Sequence, residues 1–121
     1  MQERPKLSGA RRLVLAFLNS WKGFKGAFKF EAAFRQEVAL AVVLVPLGAY
    51  LGKTNIERAL LISSVFFVLI VELLNTGIET VVDRIGLERH ELSGLAKDVG
   101  SSAVLLSFGV LGLIWGFILL G

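Results

Sequence analysis

Residues 59–83 read ALLISSVFFVLIVELLNTGIETVVD, and the character of this stretch sets the fold. Its first half is apolar apart from Ser63 and Ser64. The run is too long for a strand and lacks a two-residue alternation, so it reads as a helix. With its flanks it supplies the roughly 20 residues needed to cross the hydrocarbon core of a bilayer. The second half carries Glu72, Asn75, Glu79 and Asp83, spaced i, i+3, i+7 and i+11. At about 100° per residue these four fall within roughly an 80° stripe of one helix face. Glu72 and Asp83 stand about 16 Å apart along the axis, so the stripe runs from a membrane surface well into the interior. A charged group at the bilayer centre costs on the order of 3 kcal/mol on insertion scales. The apolar stretches hold almost no Lys or Arg to offset it. Aligned acids without internal bases point to a bound cation or a proton-handling site rather than to structure alone.

Two further apolar stretches flank this one, about 32–52 and 99–120, and the central span is expected over about 59–82. Among 121 residues, 55% are hydrophobic and the mean hydropathy is +0.71, too apolar for a soluble domain of this size. The expected fold is therefore all-α, a single integral membrane domain over residues 1–121 with three transmembrane helices. Residues 83–98, DRIGLERHELSGLAKD, form the expected polar loop between the second and third spans; residues 52–58 connect the first two. There is no cysteine, which excludes disulfides and thiolate metal sites. Most of the 13 glycines lie inside apolar stretches, as in close-packed membrane helices. Gly109, Gly112 and Gly116, with Gly100, Ser101 and Ser102 at the start of the third span, imply close helix packing. Trp21 and Trp115 suit interfacial anchoring or packing.

The net charge of +3 is unevenly spread. Residues 1–35 hold eight Lys and Arg (Arg4, Lys6, Arg11, Arg12, Lys22, Lys25, Lys29, Arg35) against Glu3 and Glu31. These bases interleave with Leu13, Val14, Phe17, Leu18, Trp21, Phe24 and Phe28 at helical spacing. That mixture reads as a helix over about 7–28 lying on an anionic membrane surface, not as a nucleic-acid-binding arm. No convincing cleavable signal sequence precedes it. The arm and the 83–98 loop together carry eleven basic residues, whereas the opposite side has only Lys53 and Arg58. The bias of Lys and Arg towards the inner face puts the amino terminus in the cytoplasm and the carboxyl terminus outside.

Glu31 opens the segment EAAFRQE, with Arg35 four residues on and Glu37 beyond it. The plain reading is a surface ion pair between Glu31 and Arg35, worth about 0.3–0.5 kcal/mol. Beside an unneutralised stripe, Glu31 is also a candidate second carboxylate for Mg²⁺, which prefers one or two carboxylates with waters and phosphates. The 83–98 loop adds Glu88, His90, Glu91, Lys97 and Asp98. His90 is either solvated or in contact with a ligand. Lys97 either snorkels to the interface or neutralises phosphate oxygens. No P-loop motif is present, and Gly23–Gly26 lacks the strand–helix context of a nucleotide-binding glycine loop.

EAAFRQE, VELLNTGIETVVDRIG and HELSGLAKDVGSSAV together resemble the blocks of the prokaryotic diacylglycerol kinases, over most of residues 20–106. That resemblance implies a homotrimer of three-span subunits, each with an amino-terminal surface helix, in the bacterial cytoplasmic membrane. Active sites would be shared between neighbouring subunits. It implies ATP as co-substrate, Mg²⁺ as cofactor and diacylglycerol as the lipid acceptor, with no nucleic-acid partner. By residue, it makes Glu72 the general base with Asn75 beside it, and Glu31 and Glu79 the metal-binding carboxylates. Arg12, Asn19, Asp83, Glu88, Arg89, His90, Lys97 and Asp98 would surround the nucleotide with those two. Trp21, Ala33, Phe34, Arg35, Gln36, Glu37 and Ser101 would join Glu72 around the lipid. Asn19 departs from the Tyr that relatives often carry before Ser-Trp-Lys-Gly.

Two alternatives accompany this reading. An undecaprenol kinase would share the Glu/Asn/Glu/Asp stripe, although the run from Asp83–Gly86 into His90–Gly94 is closer to the diacylglycerol branch. A small proton-coupled exporter would need the deep glutamate but has no use for Glu31, Glu79 or Lys97.

Overall fold

A computed structural model describes residues 8–121 as four helices. Arg4, Lys6, Glu3 and residue 7, where the surface helix was expected to start, lie outside the described residues. Helix α1 spans Gly9–Phe30. Ser8 caps it, its hydroxyl accepting from the Arg11 N–H at 3.3 Å, which satisfies one of the free donors of the first turn. Glu31 alone separates α1 from helix α2, Ala32–Leu51. Its extended backbone, φ −113° and ψ 109°, ends one helix and caps the next.

Gly52–Thr54 then turns the chain into helix α3, Asn55–Ile85, a tighter connection than the 52–58 segment expected. Two local devices explain the early start. Thr54 Oγ1 accepts from the Glu57 N–H at 3.1 Å, and Glu57 Oε1 accepts from the Lys53 N–H at 2.9 Å, a reciprocal arrangement like a capping box. Gly52 is required because a Cβ there would stand 2.9 Å from the Arg58 backbone nitrogen.

Helix α4 spans Glu91–Leu120. The polar 83–98 segment is thus mostly helical, with only Gly86–His90 between α3 and α4. Its polarity misled as to structure: His90 Nδ1 accepts from the Leu92 N–H at 3.1 Å, so the polar run belongs to the capped first turns of a helix. Helices α2, α3 and α4 are each long and apolar enough to cross a membrane.

Helix α3 is the centre, packing against both α2 and α4. Its buried residues, Leu61, Ser64, Val65, Val68, Glu72, Asn75 and Val82, recur every three or four positions and form one face. Near the start of α3 the packing is tight. Trp115 Nε1 of α4 donates to Leu61 O at 3.2 Å and to Ser64 Oγ at 3.1 Å. Gly48 of α2 lies against Leu61 and the same indole. Trp115 is therefore a packing residue. In contrast, Gly109, Gly112 and Gly116 face open space, so the small-residue face of α4 does not serve packing within the chain. Only Gly100 and Ser107 of α4 are buried.

A Cβ at position 48 would stand 3.1 Å from Leu61 Cβ and 3.5 Å from the Trp115 ring. Overpacking of this kind costs about 1–3 kcal/mol. Gly48→Val should lower the thermal unfolding midpoint of the purified protein in detergent. An unchanged midpoint would mean that α2 does not press on α3 at this level.

Candidate active site

Among the described residues, five polar ones are buried: Glu37, Ser64, Glu72, Asn75 and Ser107. The two serines are satisfied by their own helices, Ser64 Oγ donating to Leu61 O at 2.8 Å and Ser107 Oγ to Val104 O at 2.6 Å. The other three are not disposed of in this way, and they cluster. Glu72 lies in the electrostatic field of Glu79 and Glu31, and Glu37 in that of Glu72. Glu37 Oε2 and Asn75 Oδ1 have no hydrogen-bond partner. Unpartnered buried polar atoms cost about 1–3 kcal/mol each, and their concentration around Glu72 sets this region apart from ordinary packing.

The stripe grades outward along α3. Glu72 is 4% exposed and Asn75 8%; Glu79 is half-buried and Asp83 exposed. Asn75 Nδ2 donates to Glu79 Oε1 at 3.2 Å, one turn on, as helix geometry allows. Among the described residues the one ion pair is Lys97 Nζ with Asp83 Oδ1, at 2.7 Å. The four glutamates at and around Glu72 have no basic partner among those residues.

Arg35 does not pair with Glu31. Its guanidinium turns back and donates to Phe28 O at 2.8 Å and Lys29 O at 3.0 Å. The reason is the helix break at Glu31: the last carbonyls of α1 have no partner in their own helix, and a cation at a helix carboxyl end is favoured. Arg35 therefore fixes the corner from which Glu31 projects.

A second cluster forms where α3 passes into α4. Asp83, Glu88, Arg89, His90 and Lys97 line one small cavity of about 180 Å³ together with Ser93. Five of the residues expected around the nucleotide thus come together. Asp98 is exposed and does not line this cavity. Arg12 and Asn19 are exposed on α1, about 28 Å and 18 Å along the helix from Glu31, and join neither cluster. Of the residues expected around the lipid, Trp21 and Phe34 line an apolar groove between α1 and α2 with Phe24 and Phe28. Ala33, Gln36 and Ser101 are exposed and stand apart from it.

Some residues escaped the sequence reading. Gly23, Gly26, Thr76, Gly77 and Thr80 line a cleft of about 610 Å³ between α1 and α3 that reaches Glu31. The Gly23–Gly26 pair is no phosphate loop, but it does open this cleft. The available signal was small residues on both helices, Gly23 and Gly26 on one and Gly77 on the other. Gly100, expected only to serve close packing, faces the Asn75 amide.

Residues 18–119 match a family model described as prokaryotic diacylglycerol kinase. A diacylglycerol kinase of Haemophilus influenzae is 53% identical over 114 residues, covering 94% of this chain and 97% of that protein. The diacylglycerol kinase of Escherichia coli K12 is 50% identical over 112 residues, 93% of this chain and 92% of that one. That of Pseudomonas aeruginosa is 49% identical over 114 residues, with 94% and 93% covered.

Arg35→Met removes both bonds to the α1 carbonyls while keeping much of the side chain's bulk. The backbone N–H of Glu31, which donates to Ala27 O at 2.9 Å, should then exchange with solvent several-fold faster, with amides of central α3 unchanged. Equal exchange in both proteins would show that the corner is held by other contacts.

Proposed function

The chain belongs to the prokaryotic diacylglycerol kinase family, and from that membership and the geometry above we propose that it uses Mg²⁺ and ATP to phosphorylate diacylglycerol. The hydroxyl oxygen of the lipid forms a bond to the γ-phosphorus, the bond from that phosphorus to the β,γ-bridging oxygen breaks, and ADP leaves. The hydroxyl proton passes to Glu72. Phosphatidic acid is the product. The observation that carries this reading is the burial of Glu72 beside Asn75 with no base paired to it among the described residues. A carboxylate left free in an apolar setting is available to accept a proton. It stands about 10 Å deeper than Glu79, on the side where a lipid hydroxyl arrives.

Glu31 and Glu79 fit a magnesium site. Both act on Glu72 electrostatically, and neither has a cationic side chain bound to it among the described residues. No group of three or more acidic or histidine side chains forms a cage among those residues, and Mg²⁺ needs none, being content with one or two carboxylates, waters and phosphates. When bound, the ion offsets charge on the transferring phosphoryl group. Asn75 orients Glu79 through its amide. Lys97, held by Asp83 at the mouth of the α3–α4 cavity, supplies positive charge for the phosphates. Glu88, Arg89 and His90 complete that end of the nucleotide site, with Asp98 directly after Lys97 in the chain. Phe34 and Trp21 offer apolar surface to the acyl chains, with Glu37, Ala33, Gln36 and Ser101 nearer the lipid headgroup region.

The protein sits in the cytoplasmic membrane with its amino terminus inside, as the distribution of Lys and Arg favours. Helix α1 lies on that inner surface. Arg12 and Asn19 extend far from their own chain's cavity, and the glycine face of α4 is uncovered. Both features support a homotrimer in which α1 of one subunit completes the site of a neighbour. The relatives named above are kinases of diacylglycerol, which argues against the exporter reading. Comparing turnover on diacylglycerol and undecaprenol separates the two lipid alcohols.

Two substitutions test the division of roles. Glu72→Gln keeps the shape but removes the proton acceptor, and a general base is worth about 10²–10⁴ in rate. The variant should insert and bind Mn²⁺ with a non-hydrolysable ATP analogue as the parent does, yet phosphorylate diacylglycerol at least a hundredfold more slowly, consistent with that range. Glu79→Gln should instead weaken Mn²⁺ binding. If Glu72→Gln loses nucleotide binding and keeps its rate at saturating ATP, the base lies elsewhere.

Subunit mixing tests sharing. Inactive Glu72→Gln and inactive Arg12→Glu chains, co-reconstituted, should recover part of the parental rate if α1 serves a neighbour's site. Absence of recovery in demonstrably mixed oligomers would argue for self-contained sites.

A further inference from the structure

Gly100 of α4 is one of two buried residues on that helix, the other being Ser107. It faces Asn75 of α3: a Cβ built at position 100 would collide with Asn75 Oδ1. The other end of the same amide donates to Glu79 Oε1 at 3.2 Å. These two facts constrain each other. A carboxylate accepts only from the NH₂ end of an amide, so facing Glu79 with nitrogen forces the carbonyl oxygen towards α4. There it meets helical backbone whose N–H groups are already used, and Oδ1 has no donor. Only a residue without a side chain leaves room for that oxygen.

We infer that Gly100 is a positioning residue for the metal carboxylate: its missing side chain is the seat that holds the Asn75 amide turned towards Glu79. This rests on the reading of Glu79 as a Mg²⁺ ligand. The atom that a new methyl group would meet is the tip of a side chain, not backbone. The least costly response of the protein is therefore to rotate the Asn75 amide rather than to part α3 from α4. Rotation breaks the bond to Glu79 while the helices stay packed. Loss of the group that orients a metal ligand typically lowers metal affinity or activity by about 10–100-fold.

A double-mutant cycle at positions 100 and 75 tests this, because only coupled residues depart from additivity. Gly100→Ala, Asn75→Ser and the double variant are purified as full chains in detergent–lipid micelles. Mn²⁺ binding is read by electron paramagnetic resonance, folding by thermal unfolding, and lipid phosphorylation as kcat and KM for MgATP. Serine lacks the Oδ1 atom with which a methyl group at position 100 would collide. Gly100→Ala should therefore weaken Mn²⁺ binding roughly tenfold or more in the parent, with little change in unfolding midpoint, and should have no further effect in the Asn75→Ser background. An equal effect in both backgrounds overturns the proposal, since Gly100 would then act through helix packing. So does recovery of Gly100→Ala only as unfolded protein while the double variant folds, because the collision would then strain the helices and not the amide. Failure of the metal reading looks different: Glu79→Gln would bind Mn²⁺ like the parent, whatever the cycle shows.

Discussion

Carboxylates inside hydrocarbon need company, and in this chain the company is other carboxylates. Glu72 and Glu37 are buried, and Glu79 and Glu31 bear on Glu72. Yet the ion pair among the described residues, Lys97 with Asp83, stands at the surface end of the stripe. A membrane protein seeking stability alone would have placed a base here or none of these acids, because each charge away from water carries a large desolvation penalty. The rest of the structure is arranged around this excess of acid. Helix α3 carries most of it, α2 and α4 enclose it, and the α1–α2 corner brings Glu31 to its edge. A site of this sign would suit a divalent cation and a carboxylate that accepts a proton, as proposed above. Phosphoryl transfer to an alcohol needs both.

The two ends of the α2–α3–α4 bundle are built on opposite principles. At the start of α3 the indole of Trp115 satisfies Ser64 and the Leu61 carbonyl, and Gly48 closes the gap. Polar groups there are matched and the packing is tight. Towards the end of α3, Glu37 Oε2, Asn75 Oδ1 and Thr76 Oγ1 are left without partners, and clefts open between α1 and α3 and beneath the α3–α4 connection. Tight packing at one end lets the helices hold their register while the other end stays open to ligands. This division suits an enzyme that must admit a lipid from one side and a nucleotide from the other.

The sequence was most legible where physics is most costly. Spans were visible because apolar runs of that length have few other uses, and the stripe was visible because four polar groups at helical spacing stand out in such a run. Helix ends were less so: Glu91–Asp98 is polar in composition, yet a histidine cap starts α4 there. The i, i+4 rule suggested Arg35 with Glu31, but it presumes one continuous helix. The break at Glu31 offered the guanidinium two uncapped carbonyls instead. Small residues told of close approach without telling to what. Gly100 meets the Asn75 amide, Gly48 meets an indole, and Gly112 and Gly116 meet nothing in their own chain. That distinction depends on which helix faces which, and no local pattern contains it.

Helix α3 also works as a ruler. It runs without interruption through Ile85 and contains no proline, so the axial order Glu72, Asn75, Glu79, Asp83 is fixed at about 1.5 Å per residue. On the roles proposed above, that order would be proton acceptor, amide, metal carboxylate, and partner of the phosphate-facing lysine. The reactants would then arrive in the same order, lipid hydroxyl deepest and nucleotide shallowest. A soluble kinase assembles these parts from loops on several strands, and must hold them in place by packing around each. Here a single uninterrupted helix sets the spacing between Glu72 and Glu79, leaving side-chain rotation as the main freedom to be controlled. The amide of Asn75 is one such freedom, since it bonds Glu79 at one end and meets Gly100 of α4 at the other. If Gly100 seats that amide as inferred above, the shape of α4 aligns carboxylates that one helix has already spaced.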